Sequence, residues 1–328
     1  MRAILCHGWG GPEDLTLGDA PPPPITPDGV RIAARATGVN FADTLMIRGR
    51  YQRKPDFPFS PGLETAGVVT EVGAAVTRLK PGDRVVSALM WGGFAEEVMA
   101  EERFTFKIPD EMGFEDAVNF AVAYPTAHGA LLWQGRLAAG ETALIHGAAG
   151  GVGLAGVEIA KAMGATVIAT AGTDAKGALA RDHGADHAIN TTTENIRDRV
   201  LEITGGRGAD MVLELIGGEV FDATLRCAAW NARIVSVGFA SGTIPRAPCN
   251  ILLVKNIGVL GFALSTYRKN RFDLADASMT QLFDWWREGK LKPVIDRRMD
   301  FARAAEALNL LIDRKVTGKL VLTFDGGD

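Results

Sequence analysis

The sequence predicts an α/β protein in which a doubly wound parallel sheet is inserted into a mostly antiparallel β-domain. Three observations carry this. Beyond Trp133, apolar runs alternate with helical patterns, the order that builds a parallel sheet. Residues 1–122 instead hold short β-type runs separated by Gly, Pro and Asp. The last run, Lys319 to Phe324, is again of β type and is assigned back to the first domain, which makes the centre an insertion. The expected division is 1–122 with 266–328 for one domain and 123–265 for the other.

At 328 residues the chain is long for one hydrophobic core and fits two. Hydrophobic residues make up 47% and charged residues 23%, an ordinary globular balance. A net charge of -4 offers nucleic acid no general field, and no strip of basic and aromatic residues replaces it. No run is long enough to cross a bilayer, and MRAILCHGWGG does not read as a signal peptide. Cys6, Cys227 and Cys249 are far apart, which suits free thiols in a reducing compartment, so a cytoplasmic protein is expected.

In chain order, the first domain draws strands from Ala3 to Cys6, Val30 to Ala36, Ala66 to Val72, Arg84 to Ala88, Ala95 to Met99 and Phe104 to Lys107. Gly11-Pro12, Pro61-Gly62 and Pro81-Gly82-Asp83 mark turns between them. Pro21 to Pro24 is a stiff connector, and helix is confined to short links such as Ala42 to Ile47. From Met112 to Trp133 the period is helical, with Tyr124-Pro125-Thr126 opening a segment. Further on come helices over Asp174 to His183, Thr193 to Thr204 and Val220 to Ala229, and strands over Ala188-Ile189, Asp210 to Ile216 and Arg233 to Val237. Asp273 to Arg287 reads as an amphipathic helix and Phe301 to Leu311 as a second helix rich in Ala and Leu, and Gly326-Gly327-Asp328 should fray.

The chemistry sits in Glu141 to Lys176. Thr142 to Ile145 is a strand-length apolar run, HGAAGGVG follows, and Val152, Ala155, Ile159, Ala162 and Met163 then fall at helical spacing. Thr166 to Ala169 is a second strand. Ala148-x-Gly150-x-x-Gly153 is the dinucleotide fingerprint with Ala first: a tight turn, a bare backbone for a pyrophosphate, and close helix–sheet packing. Ala148, Ala149, Gly150, Gly151, Val152 and Gly153 are therefore candidates to hold phosphates on their amides at a helix N-terminus. An NAD site places an acid about 20 residues on, for the ribose 2′-hydroxyl. The second strand ends instead in Ala171-Gly172-Thr173-Asp174-Ala175-Lys176. Thr173 and Lys176 suit a 2′-phosphate and favour NADPH, while Asp174 could turn to a ribose diol.

With these residues in view, the sequence resembles a family along nearly its whole length. GVNFADTLMIRGRY (Gly38 to Tyr51), SPGLETAGVV (Ser60 to Val69), LIHGAAGGVG (Leu144 to Gly153) and TGKLVL (Thr317 to Leu322) resemble the zinc-independent, zeta-crystallin-like quinone oxidoreductases of the medium-chain dehydrogenase/reductase superfamily. The resemblance implies a GroES-like substrate domain, a Rossmann domain, and NADPH-dependent reduction of quinones or α,β-unsaturated carbonyl compounds. It also implies a homodimer, which would pair through edge strands near Ile257 to Leu264. The zinc-dependent relatives carry a cysteine where this chain has Asn40, a histidine where it has Leu63, and four cysteines near 90–110, where it has none. Catalytic zinc needs about three protein ligands; no metal site is expected.

Without a metal, hydride transfer to a quinone or conjugated alkene needs hydrogen-bond donors and a proton source. Asn40 and Tyr51 are the candidates, with Asp43 and Glu64 read as loop anchors. Tyr124 and Thr126 are expected near the nicotinamide by family position, Leu215, Gly238 and Phe239 along the cofactor because they follow the carboxyl ends of their strands, and Lys319 is a candidate for its phosphate. Ile189-Asn190 is followed by Thr191 where the family usually has an aromatic residue near the adenosine phosphate. An enoyl thioester reductase and a non-catalytic NADPH-binding structural or RNA-binding protein are the rival readings.

Overall fold

The computed structural model describes residues 1–324, so the expected fraying of Gly326-Gly327-Asp328 lies outside the described residues. The chain forms two compact units, Met1–Val122 with Pro293–Asp328, and Ala123–Lys292.

The first unit contains β1 (Arg2–Leu5), β2 (Thr16–Asp19), β3 (Gly29–Val39), α1 (Phe41–Ile47), β4 (Glu64–Val72), β5 (Arg84–Ala88), β6 (Glu97–Glu101), β7 (Thr105–Lys107) and α2 (Phe114–Ala117). β3 organises it. One edge pairs antiparallel with β4; along the other, Gly29–Ala33 pair with β6 and Ala36–Val39 with the last strand of the chain. Its first part alternates, with Val30, Ile32, Ala34 and Ala36 buried while Arg31 is half-buried and Arg35 exposed, and Val39 is buried at its end. Ile4, Met46, Ile47, Phe94, Phe301, Leu308, Leu320 and Leu322 fill the core against which α1 lies.

The second unit contains α3 (Ala123–Gly129), β8 (Thr142–Ile145), α4 (Gly151–Ala162), β9 (Thr166–Ala171), α5 (Asp174–Asp182), β10 (His187–Asn190), α6 (Ile196–Ile203), β11 (Ala209–Glu214), α7 (Gly218–Cys227), β12 (Ala228–Ser236), α8 (Cys249–Lys255), β13 (Gly258–Gly261), α9 (Leu264–Asn270) and α10 (Phe272–Arg287). Its parallel sheet runs β10-β9-β8-β11-β12-β13. In order within the unit this is the Rossmann arrangement 3-2-1-4-5-6, whose direction reverses between β8 and β11. Leu144, Ile168, Val212 and Ile234 lie fully buried on neighbouring strands, which is why these runs are apolar without alternation.

The chain then returns to the first unit as β14 (Ile295–Asp300), α11 (Ala304–Ile312) and β15 (Lys319–Thr323). β15 pairs antiparallel with β3, so the central unit is an insertion, as expected.

The second boundary differs from the expected one. Residues 266–292 cluster with the dinucleotide-type unit, not the first domain. On α10, Ser278 and Gln281 bond the two ring nitrogens of His128 on α3, at 2.9 and 2.8 Å, and Tyr267 of α9 donates to Gln134 at 2.7 Å. These polar partners are 133 to 153 residues apart in sequence, which no local pattern reveals. The expected helix to Ala229 stops at Cys227, because Ala228 is extended and already pairs with Ala209. β14 escapes sequence pattern because four of its six residues, IDRRMD, are charged, as an edge strand tolerates.

Candidate functional site

In the second unit the glycine turn is built from backbone. β8 ends at Ile145, and Gly147 turns the chain with φ 59°. The Ala148 amide donates to the Thr170 carbonyl at 3.0 Å, and that of Gly150 to the Gly147 carbonyl at 3.0 Å. α4 starts after Gly150 with no side chain capping it, so its first-turn amides are available to an anion. The two later glycines of the fingerprint serve different needs. A Cβ on Gly153 would overlap the Gly147 carbonyl oxygen and lie 2.7 Å from its carbon, so the fold itself requires that glycine. A Cβ on Gly150 would meet only that carbonyl oxygen, at 3.5 Å, an ordinary contact. Nothing in the folded chain fills the space at Gly150, as a pyrophosphate lying against the backbone requires. The residues present fit a dinucleotide.

Other expected positions gather at the same carboxyl edge of the sheet. The Ala240 amide donates to the Leu215 carbonyl at 3.0 Å, which joins the Gly238-Phe239 loop to the end of β11. Ile216 packs beside Gly147. At the end of β9, Thr173 Oγ1 caps α5 by accepting from the Lys176 amide at 3.3 Å. Asp174 accepts from Asn190 Nδ2 at 2.8 Å, so its carboxylate is already held toward the end of β10.

Beneath the turn, His146 is fully buried, with Thr170 and Thr224 hydroxyls on its ring nitrogens at 2.9 and 2.8 Å. Burial pushes its pKa down against the opposing pull of Glu214, so the ring is neutral. Glu214 Oε1 accepts the Ile216 and Gly217 amides at 2.6 and 2.8 Å and fixes the turn after β11.

Two groups of expected cofactor residues have partners inside the fold. Tyr124 and Thr126 lie buried inside α3, and the Tyr124 hydroxyl donates to Glu158 of α4 at 2.6 Å. Glu158 also takes His183 Nδ1 at 2.6 Å and the Lys292 amide at 3.1 Å, so Tyr124 belongs to a buried anchor. Lys319 belongs to the first unit, 3% exposed, where its Nζ donates to Asn40 Oδ1 at 2.7 Å and pairs with Glu64. Two of the three N–H donors of that ammonium are engaged there, by a carboxylate and an amide.

The first unit thus contains a polar cluster inside its core. Asn40 ends β3's excursion and starts α1; its amide N–H donates to Asp43 Oδ2 at 2.7 Å, and its Nδ2 to Glu64 Oε1 at 3.0 Å. Gly38 leaves room for Glu64 to meet Lys319; a Cβ there would overlap both side chains. Asp43 Oδ1 and Glu64 Oε2 are buried without a hydrogen-bond partner. Burial drives the Asp43 pKa up to about 7 and Glu64 adds to the rise, against the Asn40 and Gly62 amides and Lys319. Tyr51 packs half-buried on the same core. Burial, then Asp43, raises the pKa of its phenol, which therefore stays a proton donor at neutral pH. Asn-x-x-Asp and Pro-Gly-x-Glu were visible signals for part of this cluster; Lys319, 279 residues from Asn40, gave none.

Comparison with known proteins fits this architecture. Residues 26–110 match the alcohol dehydrogenase GroES-like domain and residues 151–280 the domain called zinc-binding dehydrogenase, which together define the two-domain dehydrogenase class. The chain is 40% identical to quinone oxidoreductase-like protein 2 homolog of Nematostella vectensis, over 98% of this chain and 88% of that one. It is 34% identical to quinone oxidoreductase of Homo sapiens, over 98% and 97%. The crystal structure of Escherichia coli quinone oxidoreductase complexed with NADPH superimposes with a TM-score of 0.93 at 30% identity, covering 98% and 100%. The chain belongs to the zinc-independent quinone oxidoreductase branch of the medium-chain dehydrogenase/reductase superfamily.

The zinc in that domain's name does not fit the residues present. Asn40 and Leu63 stand where the zinc enzymes have ligands, and Asn40 is bound to the Lys319 ammonium. Among the described residues, no three or more His, Cys, Asp or Glu side chains are gathered to hold a metal.

Proposed function

We propose that the protein is an NADPH-dependent, zinc-free reductase of quinones or α,β-unsaturated carbonyl compounds. The observation that carries this reading is the glycine turn with an uncapped helix and a vacant flank at Gly150, in a chain of the quinone oxidoreductase branch. NADPH, when bound, supplies the hydride. The amides of Ala149, Gly151, Val152 and Gly153 hold its pyrophosphate, with Gly150 leaving the backbone bare and the Ala148 and Gly150 amides already bonded within the turn, and Thr173 and Lys176 hold its 2′-phosphate. Leu215, Gly238 and Phe239 orient its other end. Asn40 and Tyr51 hold the substrate oxygen on which negative charge develops. Lys319 and Glu64 fix the orientation of the Asn40 amide, and Tyr51 supplies the proton.

The deciding assay is NADPH and NADH oxidation against 1,4-benzoquinone, 9,10-phenanthrenequinone, 2-hexenal and crotonyl-CoA, with and without a chelator. Turnover of a quinone or the enal should be insensitive to the chelator and prefer NADPH. Lys176→Glu should cut that preference at least about tenfold, the loss of one charge-assisted phosphate contact. Strict NADH preference would transfer the adenosine-end role to Asp174, and NADPH binding without turnover would overturn the enzymatic reading.

The reading extends to assembly and place. β13 ends the parallel sheet, and Leu253 and Val254 on α8 are each 78% exposed, which supports a homodimer pairing through this end. Light scattering should give twice the chain mass, and Leu253→Asp with Val254→Asp should give the monomer; a monomeric native protein would refute the pairing. The unpaired thiols Cys6, Cys227 and Cys249 suit a reducing cytoplasm. Partners are small molecules rather than nucleic acid, given the acidic balance. No helix among the described residues is long and apolar enough to cross a membrane.

A further inference from the structure

We propose that Asp43 and Glu64 hold a single proton between them in the working enzyme, keeping the cluster behind Asn40 and Tyr51 neutral while negative charge develops on the substrate. The role at substrate rests on the placement of substrate at Asn40 and Tyr51 given above.

The geometry sets a charge and donor problem. Two carboxylates are buried with one ammonium, so the fully ionised cluster carries one uncompensated negative charge inside the core. Such a charge is costly unless a proton removes it. The donors point the same way. Asn40 Nδ2 and Lys319 both serve Glu64 Oε1, and the Asn40 amide serves Asp43 Oδ2. Asp43 Oδ1 and Glu64 Oε2 are left without partners. One shared proton neutralises the cluster and adds the hydroxyl donor it lacks.

Among the described residues, Lys319 is the cation paired within this cluster. β4 contributes Glu64, β15 contributes Lys319, and the segment before β4 contributes the Gly62 amide. The loop after α1 brings Tyr51, with Arg53 beyond it. α11, packed on α1, presents Ala304, Ala307 and Leu308, and its Glu306 is paired with Arg303 at the surface. The upward displacement of the Asp43 pKa, caused first by burial, agrees with a proton retained near neutrality.

A second deprotonation would put a full negative charge behind the groups that must stabilise an anionic product. Activity should therefore fall as pH rises through the titration centred on Asp43, by about tenfold in kcat/KM per pH unit. Asp43→Asn should remove that break whatever its absolute rate. Infrared difference spectra of the intact native protein, without substrate, provide the independent measure. A protonated-carboxyl band should be present at mildly acid pH, titrate near neutrality and vanish in Asp43→Asn. Glu64→Gln should alter the same band, which covers the case in which one variant fails to fold. Absence of the band in the native protein overturns the proposal. A band without a matching break in the rate, in a turning-over enzyme, overturns the role at substrate. Failure of every quinone and enone to react defeats the functional reading instead, and the spectrum tells the two failures apart.

Discussion

Lys319→Met should lower the unfolding free energy by about 3–5 kcal/mol, the cost of leaving a buried charge without its partner. The methionine keeps the length of the side chain, so packing loss is small and the effect is electrostatic. Lys319 is 3% exposed, pairs with Glu64 and holds Asn40 Oδ1, so its removal disturbs stability and candidate donor together. Denaturant unfolding measures the loss, which should shrink as pH falls and the carboxylates protonate. Adding Glu64→Gln should recover much of it, because the second change removes the stranded charge. A loss under about 1 kcal/mol would mean that water reaches the cluster and screens it, as at surface pairs.

Native stability should carry a related signature. Asp43 has its pKa raised in the folded state from 3.8 to about 7. The folded chain then binds a proton more tightly than the unfolded one, so its contribution is complete below 3.8 and is lost as pH rises toward about 7. Asp43→Asn should flatten that decline.

The second large effect separates two glycines three residues apart. Gly153→Ala should destabilise the second unit by about 3 kcal/mol, the upper end for an overpacked site. Its new methyl would lie 2.7 Å from the Gly147 carbonyl carbon and 3.0 Å from Ala148 Cα, and neither backbone atom can swing away. Gly150→Ala should leave the melting temperature nearly unchanged, since its methyl meets one atom at 3.5 Å and its φ of -91° suits any residue. It should instead weaken NADPH binding at least about tenfold by filling the approach to the backbone. Calorimetric melting and NADPH fluorescence titration check the pair. A folded Gly150→Ala with native affinity would remove the vacant flank as a phosphate surface.

The parallel sheet and its turn were legible because their causes are local. Strands buried on both faces read as continuous apolar runs, and a position that tolerates no Cβ, as at Gly153, must be written in glycine. β14 was not legible, since a charged edge strand looks like a loop. Residues 266–292 read from sequence as part of the first domain, because the hydrogen bonds that hold them, at Ser278, Gln281 and Tyr267, reach residues far back in the chain. The candidate site divided the same way. Asn40 stands out within its block, and Asp43 and Glu64 read from sequence as loop anchors. The lysine that turns them into one unit comes from the other end of the chain. The buried partners of Lys319 and Tyr124 lie far along the chain and leave no local pattern.

Glu158 bears on how such a protein can be assembled from parts. Its carboxylate accepts the hydroxyl of Tyr124, two residues after the chain enters the second unit, and the amide of Lys292, the last residue before it leaves. The inserted module therefore begins and ends within reach of one side chain on its cofactor helix. A module with adjoining ends can be spliced into a surface turn of a host without stretching either. One buried carboxylate serves as the seam that closes the insertion.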